Sequence, residues 1–102
     1  MVLVTKAQHE QLLKAGYQNM DPIVKFFNPA GQQTWLATGI EDGIIYGYAD
    51  IGFGCVEWGS LFSVEELPTL TFLRGLVTLE RDRHWTHKPG TKYLEMDSLV
   101  GV

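Results

Sequence analysis

Residues 23–51, IVKFFNPAGQQTWLATGIEDGIIYGYADI, decide the fold. Three runs rich in β-branched and aromatic residues are separated by two turn signals. Asn28-Pro29-Ala30-Gly31 places proline where φ must be fixed and glycine where the reversal closes, and Glu41-Asp42-Gly43 supplies the second reversal. Short apolar runs bounded by such turns read as strands joined in hairpins. The expected strands cover 23–28, 33–40 and 44–51.

Working outward, Thr5 with Gln8 three residues on is a capping-box pattern. It predicts a helix over 6–15 with Gly16 closing its C-terminal end. On the other side, Gly52-Phe53-Gly54 interrupts the chain before an extended segment over 55–62. Ser63 with Glu66 forms a second capping box and predicts a short helix from Val64, which Pro68 then disturbs. Residues 76–85 read as one strand, with Val77, Leu79 and Trp85 on one parity and Glu80, Asp82 and His84 on the other. Thr91 is expected to cap a last short helix through Met96. The fold class is α+β: a small antiparallel sheet of about four strands with an N-terminal helix and one or two short helices packed on it.

With 102 residues, 45% of them hydrophobic, the chain can build one core, so 1–102 reads as a single domain. A formal charge of −4 argues against a protein that binds nucleic acid or anionic membrane with its whole surface. Cys55 is the sole cysteine, which excludes an intrachain disulfide. No signal-peptide pattern opens the chain, and no apolar run approaches the ~20 residues that span a bilayer. These features predict a cytoplasmic protein with no membrane partner, and they leave monomer and homodimer both open. Cys55 itself reads as a small buried thiol, because Asp50 and Glu57 nearby would disfavour a thiolate nucleophile. Gly52-x-Gly54 is not a phosphate loop, since Glu57 stands where a third glycine would be needed.

Several stretches resemble a family of small bacterial and phage proteins carried largely on plasmids and integrative elements, a domain family of unknown function. They are Val24 to Pro29, Thr34-Trp35-Leu36, the string Tyr46 to Gly59 with its D-x-G-x-G-C-x-E-x-G pattern, Ser63 to Leu67, and Glu80-Arg81-Asp82-Arg83-His84-Trp85. Val56 stands where the family often has proline. The resemblance implies a shared small fold and a mobile-element setting; it supplies no activity.

Three functional readings follow from the residues. From Glu41 to Glu66 there are six acids and no base. Glu41, Asp42, Asp50, Glu57, Glu65 and Glu66, with Phe53 and Trp58 beside glycines, suggest an acidic and aromatic surface that engages a protein. On a mobile element this fits a non-enzymatic binding module, such as a counter-defence inhibitor that imitates nucleic-acid charge toward a host protein; it needs no cofactor. Secondly, Glu80, Asp82 and His84 on one strand face, with His87 near, could ligate a metal for phosphoester hydrolysis. The bland alternative is a solvated face in which Glu80 or Asp82 pairs with Lys25. Thirdly, Arg81, Arg83, Lys88 and Lys92, interleaved with Trp85 and Tyr93, could bind nucleic acid, although Arg81 and Arg83 share parity with core residues and could cover the core edge instead.

Overall fold

The computed structural model of the chain describes residues 2–102. The quoted stretch forms β1 (Val24–Phe27), β2 (Thr34–Glu41) and β3 (Ile44–Asp50), and β4 (Glu57–Ser63) follows. Three strands of two residues come later: β5 (Thr71–Phe72), β6 (Val77–Thr78) and β7 (Glu80–Arg81). The main sheet is antiparallel in the order β4-β3-β2-β1-β7, while β5 and β6 pair in a separate ribbon.

Both expected turns close as their residues dictate. The Asn28 carboxamide accepts the Ala30 amide at 2.9 Å and donates to Gln33 Oε1 at 2.9 Å, which locks the β1–β2 connection. Asp42 and Gly43 both have positive φ, 51° and 75°, the paired left-handed geometry that matches the twist of a two-residue hairpin.

Strand periodicity sends alternate side chains to opposite faces. On one face Val24, Phe26, Trp35, Ala37, Ile40 and Ile45 pack with Leu12 of α1 (Lys6–Ala15) and with Leu67 and Leu79. The capping box of α1 is complete, with Gln8 N donating to Thr5 Oγ1 at 3.1 Å and Thr5 N donating to Gln8 Oε1 at 3.0 Å. On the other face Leu36 and Tyr48 meet Val56, Tyr93 and Leu99. A strap of chain over 92–102 therefore covers the side that a one-sided helix layer would have left open. Every residue of β2 before Glu41 is buried, as a strand covered on both faces requires. Two glycines permit the close contacts. A Cβ on Gly39, beside the bulge in β2, would overlap the Gly16 carbonyl at the end of α1. One on Gly47 would overlap the Leu36 carbonyl across the β2–β3 ladder.

Three expected elements take a different form. The bonds of the second capping box are made, Glu66 N to Ser63 Oγ at 3.2 Å and Ser63 N to Glu66 Oε1 at 3.4 Å. They close a turn that leads only to a 3-10 turn over Leu67–Thr69, because Pro68 cannot donate to a continuing helix. The strand expected over 76–85 breaks into β6 and β7, which belong to different sheets. Between them Leu79 turns into the helix-side core, its amide bound to Leu70 O at 3.3 Å. Thr91 does not cap a helix: its hydroxyl bonds back to Lys88 O at 2.8 Å, and only a 3-10 turn over Tyr93–Glu95 forms.

Candidate functional site

The acidic middle of the sequence separates into two places. β3 carries the chain from Ile44 to Asp50, about 20 Å at ~3.3 Å per residue. Glu41, Asp42, Glu65 and Glu66 gather at the Ile44 end, because Ser63 pairs with Ile44 and Val64 N bonds to Gly43 O at 2.8 Å. All four carboxylates are exposed. Asp42 and Glu65 line a groove of about 510 Å³ on the helix side, whose apolar wall includes Leu13, Ile40, Ile44 and Val64, with His9 at its edge. Among the described residues none of the four carboxylates belongs to an ion pair.

The other end holds Asp50, Phe53 and Glu57, and only part of it is surface. Asp50 is 2% exposed, so the expectation that it meets a partner is corrected: it is an internal anchor. Its carboxylate accepts Gly52 N at 3.0 Å, Ser98 Oγ at 2.8 Å and Leu99 N at 2.8 Å. Burial by itself would push this carboxyl up. The hydrogen bonds from Leu99, Gly52 and Ser98 outweigh that and hold it below the ordinary aspartate value. The bond to Gly52 folds the loop back, and Gly52 and Gly54 take φ of 96° and 80°. Cys55 lies on that loop and is exposed, against the expectation of a buried thiol; Val56 after it carries the chain into the core. Phe53 is 81% exposed and Glu57 is exposed. Trp58 is half-buried and stacks on Tyr46 with ring centroids 5.9 Å apart, so it is tied to the sheet and not freely displayed.

Glu80, Asp82, His84 and His87 are not brought to one point. Among the described residues no three His, Cys, Asp or Glu side chains are grouped where they could hold a metal ion. Instead Asp82 is engaged twice, by Lys25 Nζ at 3.6 Å and by its own chain through His84 N at 3.0 Å. Lys25, 8% exposed, also donates to Val102 O at 2.8 Å, so the expected Asp82–Lys25 pairing is present and fastens the strap to β1. His87 lies between Tyr93 Oη, 2.9 Å from Nδ1, and Asp21 Oδ1, 3.5 Å from Nε2. Burial pushes the Tyr93 hydroxyl up, and it does the same to Tyr48, whose ring centroid lies 5.0 Å away. Neither this chain nor the Asp50 anchor is visible as a local motif, since each joins residues far apart in sequence.

The four basic candidates also divide. Arg81 turns to the helix side and donates to Gln8 Oε1 at 3.1 Å, the core-edge role expected from its parity. Lys92 lies 3.9 Å from Glu95. Arg83 and Lys88 stay exposed and, among the described residues, make no ion pair.

This architecture defines a small α+β protein: a five-stranded antiparallel sheet between one helix and a C-terminal strap, with a groove lined by Asp42 and Glu65 on the helix side. The chain belongs to the family described as "Protein of unknown function (DUF2958)", which matches residues 3–101. No curated protein and no solved structure matches the chain. Among the described residues no helix is long and apolar enough to cross a membrane.

Proposed function

We propose that the protein is a non-enzymatic protein-binding module of a mobile genetic element. It acts as a counter-defence inhibitor and docks the acidic groove beside α1 onto a basic surface of a host protein. One observation carries this reading: Asp42 from the β2–β3 turn and Glu65 from the turn after β4 line one groove with an apolar wall, Glu41 and Glu66 stand exposed next to them in the chain, and among the described residues none of the four belongs to an ion pair. Four neighbouring carboxylates that make no ion pair among the described residues repel one another, a cost that a basic partner relieves. The apolar wall adds contact area that a purely charged face lacks. Its setting on a plasmid, phage or integrative element rests on the sequence resemblance, and the cytoplasm is the compartment such a task requires.

The test uses wild type and the Glu41→Gln/Asp42→Asn/Glu65→Gln/Glu66→Gln variant as bait in host extract, read by mass spectrometry. Any protein held only by wild type is then purified and titrated against both forms. The proposal expects a purified protein with a basic face that loses at least about ten-fold in affinity for the variant, equivalent to ~1.4 kcal/mol. Equal binding to both forms would refute it.

A further inference from the structure

On the strap side of the sheet, the segment after β7 and the strap enclose a cleft of about 550 Å³, a size suited to a small organic ligand. Trp85 lines it, half-buried, and packs with Met96 against the core under the strap. His84 and Lys88 line it as well, and both are exposed. A second cleft of about 390 Å³, lined in part by Arg83, adjoins the first and shares His84 and Asp82 with it. We propose that this cleft binds a nucleoside phosphate, with the base laid on Trp85 and the phosphate held by Lys88, His84 and Arg83.

Four observations support that ligand. Most other cations of this region are already used: Lys25 on Asp82 and Val102, Arg81 on Gln8, and Lys92 beside Glu95. Among the described residues Arg83 and Lys88 are the cations of this region left with neither an ion pair nor a side-chain hydrogen bond. Secondly, Asp82 is the one Asp or Glu that lines the larger cleft beside Lys88, and Lys25 offsets it; Glu80 lines the second cleft with Arg83. Thirdly, an indole that lines one cleft with Lys88 suits a planar base bearing phosphate, because any base can stack and a cation holds the anion. Lastly, the acidic groove lies across the sheet, on the helix side, where solvent ions screen its charge over roughly 8 Å. The site is also held in place, since Asp50 grips Leu99 and His87 contacts the Tyr93 hydroxyl.

The shared chemistry has two sources, a free nucleotide or a single-stranded nucleic acid. Adenosine monophosphate and an oligothymidylate of about ten nucleotides are titrated separately, following tryptophan fluorescence and, for the labelled oligomer, anisotropy. Binding of the monophosphate supports the free nucleotide; binding of the oligomer alone supports the single strand. In either case Trp85→Ala lowers affinity about ten-fold. Trp85→Phe, which keeps a ring and guards against misfolding, retains binding but loses the quench. Lys88→Gln and Arg83→Gln, both on exposed positions, weaken binding and each reduces the salt slope for the oligomer by about 0.7. No binding of either probe at millimolar concentration would overturn the proposal, as would binding that Lys88→Gln and Arg83→Gln leave unchanged.

Discussion

Replacing Asp50 by alanine removes the acceptor for three donors at once. Gly52 and Ser98 lie at exposed positions, where water can take over part of their bonding. Leu99 is wholly buried, and its amide has no such recourse. An unsatisfied buried donor costs about 1–3 kcal/mol, and each bond to an ionised acceptor contributes about 1.5–3 kcal/mol. Allowing for water at the two exposed donors, the loss is about 3–5 kcal/mol. That is a large share of the 5–15 kcal/mol that stabilises a typical domain. Asp50→Asn keeps the shape but surrenders the charge, and should lose about 1–3 kcal/mol. Urea unfolding followed by tryptophan fluorescence gives both numbers, and Trp85 and Trp58 sit near the strap that should loosen. The pH dependence has a definite sign. The folded Asp50 carboxyl lies below the ordinary value of about 3.8, so its stabilisation is complete above that pH. It fades as pH falls through the folded value, and the gap between wild type and Asp50→Asn should narrow below about pH 4. A loss under about 1 kcal/mol for Asp50→Ala at neutral pH would refute the anchoring role.

Other perturbations separate the account from simpler ones. Gly39→Ala should destabilise by about 2–3 kcal/mol or prevent folding, because its methyl would overlap the Gly16 carbonyl, whereas Gly59→Ala, where a Cβ meets open space, should change stability by less than about 1 kcal/mol in the same unfolding assay. Cys55 should react with a thiol reagent in the native protein nearly as fast as in the unfolded one; strong protection would contradict its exposed position. Lys25→Ala leaves Asp82 and the Val102 carbonyl without their shared donor and should lower stability by about 2–4 kcal/mol, while Lys92→Ala, at an exposed pair, should cost under about 1 kcal/mol.

The parts of the fold legible in the sequence are those fixed by neighbours in the chain. Thr5 and Gln8 cap α1, Asn28 to Gly31 and Asp42-Gly43 make the turns, and β1 to β3 keep their boundaries to within a residue or two. What escaped reading depends on contacts between distant segments. Parity over 76–85 looks like one strand, but the pull of the helix-side core on Leu79 splits it, an effect no local pattern records. Asp50 resembles any acid beside a glycine loop until Ser98 and Leu99, nearly half the chain away, arrive to bind it. Cys55 looks buried by its type, yet the return of that loop toward Asp50 leaves it outside. The acid run reads as one surface because sequence counts charges along the chain; the length of β3 divides it. The pairing of Asp82 with Lys25 was legible, since both sit at positions that alternation sends to the same face.

The most direct test of the functional account is a titration of a purified host partner against two variants altered at opposite ends of β3. One carries the four substitutions at Glu41, Asp42, Glu65 and Glu66; the other carries Phe53→Ala with Glu57→Gln. The first should lose at least about ten-fold in affinity, more at low salt than at high salt, while the second binds like wild type. Loss confined to the Phe53 and Glu57 variant, or equal affinity for all three proteins, would contradict the functional account.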